Sequence, residues 1–81
     1  MGRATRPKPK KLRLKLKRIR ANLGYSQVAM AQALGFKTVY PSHISQYEHG
    51  KREPPLPVLL KYARLAGIST DVLVDDTLEY K

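Results

Sequence analysis

Residues 26–52 read SQVAMAQALGFKTVYPSHISQYEHGKR: two short helical periods joined by a turn that opens on glycine and closes on proline. Ser26 offers a hydroxyl to cap a helix, and Met30, Ala31 and Leu34 then fall on one side of a segment spanning about 27–34. Its alanines let a neighbouring helix come close, and Gly35 supplies the left-handed residue that ends it. Phe36 to Tyr40 keep no helical period. Pro41 suits the first position of a new helix, where its missing N–H costs nothing, and this helix is expected over about 41–49. Ile44 and Tyr47 point inward, whereas Ser42, Ser45, Gln46 and His49 lie at i, i+3, i+4 and i+7 on a second face that is polar but carries no Lys or Glu. Solubility usually fills an exposed helix face with charge. A strip of short hydrogen-bonding side chains therefore predicts a surface that is read against something.

Toward the N-terminus, Leu12, Leu16, Ile19 and Leu23 make one helical stripe, Lys15, Lys17, Arg18 and Arg20 occupy the remaining surface, and Gly24 stops the helix. Before it, Arg3, Arg6, Lys8 and Lys10 are interspersed with Gly2, Pro7 and Pro9; with nothing to bury, residues 1–10 are expected to form a flexible basic arm. Toward the C-terminus, Lys51 to Pro55 is a stiff basic loop, and a helix follows over 56–66 with Leu56, Leu59, Leu60 and Ala63 inward and Pro57 tolerated in the first turn. Gly67 ends it, and Ser69 caps a last helix, Thr70 to about Asp76, that buries Val72 and Leu73 and carries Asp71 near its positive end. Residues 77–81 are expected to fray. The expectation is an all-α fold of five helices over residues 11–76, with no strand pattern and no internal repeat.

Composition limits what such a fold can do. A chain of 81 residues buries one small core and leaves no room for a deep substrate pocket, and without cysteine it has no disulfide framework or thiolate zinc site. A cytoplasmic location is expected. The net charge of +10 is lopsided: residues 1–47 hold eleven Lys/Arg and no acid, and all six acids lie from Glu48 onward. That field implies a polyanionic partner, nucleic acid or an anionic membrane surface. No apolar run approaches the ~18 residues of a membrane span, and no signal-peptide core is present. A basic amphipathic helix over 8–23 lying on a membrane lacks Trp or Phe anchors, and its apolar stripe is needed for the core. Enzymatic chemistry finds no footing: His43 and His49 lack the i, i+4 spacing of a metal pair, no Ser/His/acid set or phosphate loop is visible, and no metal or cofactor is expected. The aromatic-on-strand pattern of RNA-reading sheets is absent too, which favours double-stranded DNA.

The set Arg20, Gly24, Ser26-Gln27, Met30-Ala31, Leu34-Gly35, Ile44 to Glu48, Gly50 to Arg52, Pro54, Leu59 and Gly67 to Ser69 resembles the Cro/CI-type (XRE-like) helix-turn-helix domain of phage and bacterial repressors, over residues 14–75. The resemblance implies that the helix over 41–49 lies in the major groove while the helix before it braces on the backbone. It places Gln27 on a phosphate, with a plain capping role as the alternative, and pairs Arg20 with Glu48 as a structural ion pair that also turns Arg20 toward the backbone. Base reading falls on Pro41, Ser42 and above all Gln46, whose amide can bond adenine N6 and N7 together. Tyr40, His43, Ser45 and His49 flank the strip, either on bases and phosphates or merely solvated. Lys51 and Arg52 match phosphate-holding positions, a generic basic loop being the alternative. The family's turn would be shorter, so Lys37, Thr38 and Val39 read as an insertion from which Lys37 gains a phosphate. Leu65-Ala66 departs from the usual order of sizes. The arm residues Arg3, Arg6, Lys8 and Lys10 either track phosphates or a groove, or only solubilise. The expected protein is a small sequence-specific regulator, repressing by promoter occupancy, without cofactor, dimerising through Val72, Val74 and Leu78 on a palindromic site; an antitoxin that brings a toxin partner is the alternative.

Overall fold

The computed structural model describes residues 10–80, so the part of the expected arm that holds Arg3, Arg6 and Lys8 lies outside the described residues. Five helices follow one another: α1 (Leu12–Leu23), α2 (Gln27–Leu34), α3 (Pro41–Glu48), α4 (Leu56–Ala66) and α5 (Thr70–Val74). Among the described residues there is no strand. Local chemistry sets the boundaries. The Ser26 Oγ accepts the Ala29 N–H at 3.0 Å and starts α2. Gly35, with φ at 76°, ends it in a conformation that a side chain would strain.

The core is assembled from every helix. Leu16 and Ile19 of α1, Met30 of α2, Ile44 of α3, Tyr62 of α4 and Leu73 of α5 are all fully enclosed. α1 packs on α3, α4 and α5, and α2 packs chiefly on α3. Sequential burial of this kind leaves one face of α3 free, because its Ile44 and Tyr47 turn inward while Ser42 and His49 stay exposed and Ser45 and Gln46 half-exposed.

Three sequence expectations are corrected here. Leu56 and Leu60 do not face the core: they are 64% and 40% exposed, and Val58 and Tyr62 are buried in their stead, beside Leu59 and Ala63, which face inward as expected. The segment LPVLLKYARLA is apolar around most of its circumference, so two stripes fit its period; the one carrying the large Tyr62 ring closes against α1 and α2. Lys15, expected on the surface of α1, is 5% exposed. Its stem is buried, and its Nζ donates to the carbonyls of Val72 at 2.6 Å and Asp75 at 2.9 Å at the end of α5. Those carbonyls have no acceptor role left within the helix, so a buried ammonium there is satisfied rather than stranded. Finally, residues 77–80, where fraying is expected, make hydrogen bonds to the rest of the fold. The Asp75 carboxylate accepts the Thr77 N–H and hydroxyl, Leu78 N–H donates to the Asp75 carbonyl, and Asn22 Nδ2 donates to the Tyr80 hydroxyl at 3.1 Å. Tyr80 packs against the core, and α5 stops at Val74 because Asp75 turns extended.

Asp76 completes this end of the molecule. Its carboxylate accepts the backbone N–H groups of Lys10 at 2.8 Å and Lys11 at 3.0 Å, just ahead of α1, whose own N-cap residue offers no side-chain bond. α1 and α5 thus close each other's open ends, Asp76 serving the first and Lys15 the second. The two backbone N–H bonds, that of Lys10 first, hold the Asp76 carboxyl below the usual carboxylate range.

Candidate nucleic-acid interface

α3 is held at both ends and along its back. At its start, the Tyr40 N–H donates to His43 Nδ1 at 3.1 Å and the His43 N–H donates to the Tyr40 carbonyl at 2.9 Å, so His43 is spent on fixing the first turn. The same contact sets the Tyr40 and His43 rings 5.5 Å apart. Pro41 occupies the first turn, as its missing donor favours. Along its back, Arg20 of α1 grips Glu48 through two bonds, Nε to Oε2 at 2.6 Å and Nη2 to Oε1 at 2.9 Å. Arg20 Nη1 also donates to the Tyr25 carbonyl at 3.0 Å, tying the α1–α2 turn into the same knot. The Glu48 side chain is 3% exposed and that of Arg20 20%, so the pair works away from bulk water, and the bond to Glu48 raises the Arg20 guanidinium above its already high range. Glu48 is structural. Arg20 keeps only the N–H groups not committed to Glu48 and Tyr25 for any outside contact.

The free face then carries the strip read from the sequence. Ser42 is exposed, Ser45 and Gln46 are half-exposed, and the His49 ring folds back so that Nδ1 lies 2.7 Å from the Ser45 carbonyl. Gln46 is not solitary: Arg52 Nε donates to its Oε1 at 2.7 Å. The chain after α3 doubles back to make this possible, with Lys51 and Arg52 both donating backbone N–H to the Gln46 carbonyl. Lys51 and Arg52 are exposed, as is Lys37 in the turn before α3. In that turn Phe36 and Val39 pack against the core and Val39 N–H donates to the Phe36 carbonyl, so residues 36–39 form a seated turn. Gln27 opens α2, half-buried behind the Ser26 cap.

Arg13 is a basic residue at this end that sequence reasoning passed over. Its stem lies over Gly50, whose φ of 73° and lack of a side chain leave the space; a Cβ there would stand 3.1 Å from Arg13 Cδ. A cleft of about 210 Å³ beside it is lined by Lys10, Arg13, Tyr47, Arg52 and Glu53, and it gathers cations from the root of the arm, α1 and the loop. Nothing in the spacing of Arg13 marks it, because only the crossing of α1 over the loop brings it there. Among the described residues no group of acids and histidines is placed to hold a metal ion, and no helix is long and apolar enough to cross a membrane.

A helix-turn-helix family model matches residues 16–73. The chain is 41% identical over 63 residues to the SPbeta prophage-derived uncharacterized HTH-type transcriptional regulator YonR of Bacillus subtilis (strain 168), a match covering 78% of this chain and 56% of the relative. It therefore spans little more than half the length of that relative. Among solved structures it is similar to the P22 c2 repressor protein in complex with synthetic operator 9T, with a TM-score of 0.70 and 26% identity over 80% of this chain and 94% of the repressor chain. A hypothetical transcription factor from Neisseria shares the fold, with a TM-score of 0.66 and 22% identity over 91% of this chain and 86% of that one. Hydroxypropylphosphonic acid epoxidase from S. wedmorenis is similar too (TM-score 0.67, 25% identity), but over 86% of this chain the likeness spans only 36% of the epoxidase.

Proposed function

The chain belongs to the helix-turn-helix family, in its Cro/CI-type (XRE-like) branch, and from that premise we propose that it binds double-stranded DNA in a sequence-specific way and represses transcription by occupying a promoter. The observation that carries the reading is the face of α3: an uncharged hydrogen-bonding strip bordered by the exposed cations Lys37, Lys51 and Arg52, on a helix locked from behind by Arg20 and Glu48. A rigid helix with short polar side chains suits the major groove, where base edges present donors and acceptors, and the bordering cations suit the phosphates on either side. The P22 c2 repressor, solved on a synthetic operator, supports the same use of the fold.

In this reading Gln46 and Ser42 bond base edges, Pro41 offers an apolar edge, and Ser45 lies within the same strip. Tyr40 and His43 are held to each other at the start of α3, which turns their role toward shaping that end. Gln27, Lys37, Lys51, Arg13 and the residual N–H groups of Arg20 face phosphates. One such module covers few base pairs, and a dimer on a palindromic site supplies the remaining specificity. Val74 and Leu78, both 40% exposed, with Leu14 at 53%, offer apolar surface for it on the side of α1 and α5.

Selection of bound duplexes from a random library tests the reading. The wild-type protein is expected to enrich one motif. Gln46→Ala is expected to lose preference at one base pair of that motif, by about 5- to 100-fold for a bidentate contact. Enrichment of no motif by the wild type would refute sequence-specific binding.

A further inference from the structure

We propose that Arg52 is a positioning residue for base recognition: it pins the Gln46 amide with its oxygen toward the loop, so that the Nε2 hydrogens lead into the groove and the contacted base must present an acceptor. The inference rests on Gln46 being a base reader. Its physical basis is the 2.7 Å bond from Arg52 Nε to Gln46 Oε1. Arginine has only donors, so the atom that faces it must be the amide oxygen, and the two ends of the amide are thereby told apart. The bond is charge-assisted and short, and Arg52 is brought to it by the backbone: its own N–H and that of Lys51 both bond the Gln46 carbonyl at the end of α3.

An unpinned glutamine rotates its amide by half a turn and meets either a donor or an acceptor. Pinning removes one of those states. With Nε2 leading, Gln46 bonds purine N7, guanine O6 or thymine O4. A cytosine presents only its N4 donor there and meets Nε2 donors, so it is rejected. A cation at Arg52 that merely held a phosphate would instead raise affinity for every sequence alike. The two roles therefore separate in what they do to preference.

The test measures affinities for the selected duplex and its three single-base-pair variants at the position that Gln46→Ala identifies, using the intact chain with Arg52→Ala, Arg52→Lys and the double variant Gln46→Ala/Arg52→Ala. Arg52 is exposed, so these variants are expected to keep the helical circular dichroism of the parent. Both single Arg52 variants are expected to relax discrimination against cytosine at that one pair by about fivefold or more, the low end of a good base contact. Arg52→Lys keeps the charge and should keep the salt dependence. In the Gln46→Ala background, Arg52→Ala should leave preference at that pair unchanged. Uniform loss on all four duplexes, with the salt slope reduced by about one and the preference intact, would overturn the proposal and leave Arg52 as a phosphate contact. If Gln46→Ala alters preference at no base pair, the base-reader reading fails first and the proposal falls with it, a result distinguishable from the previous one.

Discussion

Tyr62 carries the largest fully enclosed side chain, yet its hydroxyl finds no hydrogen-bond partner among the described residues. Burial, reinforced by the nearby Glu48 carboxylate, pushes that hydroxyl well above the ordinary tyrosine range. An unsatisfied buried hydroxyl costs about 1–3 kcal/mol, and removing it while keeping the ring is nearly free. Tyr62→Phe is therefore expected to leave stability unchanged or raise it by about 1 kcal/mol, read from the urea midpoint; a loss of similar size would show that the hydroxyl is bonded in solution. The sequence could not have exposed this, because a tyrosine in a helical apolar stripe looks the same whether its oxygen is partnered or not. Arg20 and Glu48 behave differently. Their pairing was legible from the resemblance, and the bidentate geometry shows why it holds: the Glu48 carboxylate is almost wholly buried and would be stranded without Arg20.

At the scale of elements, the starts and ends of α1 to α4 were legible to within a residue because caps are local chemistry: Ser26, Gly24, Gly35, Pro41 and Gly67 act within one turn of their own positions. α5 is another matter. Five residues do not make a stable helix alone, and this one depends on Lys15 bonding its last carbonyls. Lys15→Ala is expected to cost about 1–3 kcal/mol, the range for hydrogen bonds to a charged group, and to speed amide exchange in α5 before the rest of the molecule opens. Equal acceleration everywhere would mean that α5 has no separate opening. The opposite end of the clasp titrates. The Asp76 carboxyl lies below its ordinary 3.8 in the folded chain, so its contribution is complete above about pH 4 and is lost as pH falls through the folded value. The wild-type Tm should drop through that window, and Asp76→Asn should begin lower at neutral pH and drop less; parallel curves for the two would deny the clasp a role in acid stability.

For the molecule as a whole, the charge is unevenly placed. Ten of sixteen cations lie in residues 1–20, whereas α3 has no Lys or Arg. If the cations before α1 meet phosphates, each contributes about −0.9 to the slope of log affinity against log salt. Removing residues 1–9, which carry Arg3, Arg6 and Lys8, should flatten the slope by about two to three while the preferred duplex stays the same; an unchanged slope would assign those residues to solubility alone. The sequence by itself determined the all-α class, the bounds of four helices, the polar strip of α3 and the lopsided positive charge, because periodicity, caps and net charge are properties of neighbours or of sums. It also placed Ile44 and Tyr47 correctly, since α3 has only one apolar side. It misjudged α4, which has apolar residues most of the way around. Only the tertiary structure decided which of those faces the core, that Lys15 is buried, that Asp76 caps a helix 65 residues earlier, and that Arg13 and Arg52 line one cleft. Each of these depends on the meeting of groups that chain connectivity does not bring together. Packing must first place them within bonding distance, and nothing in their local pattern encodes that.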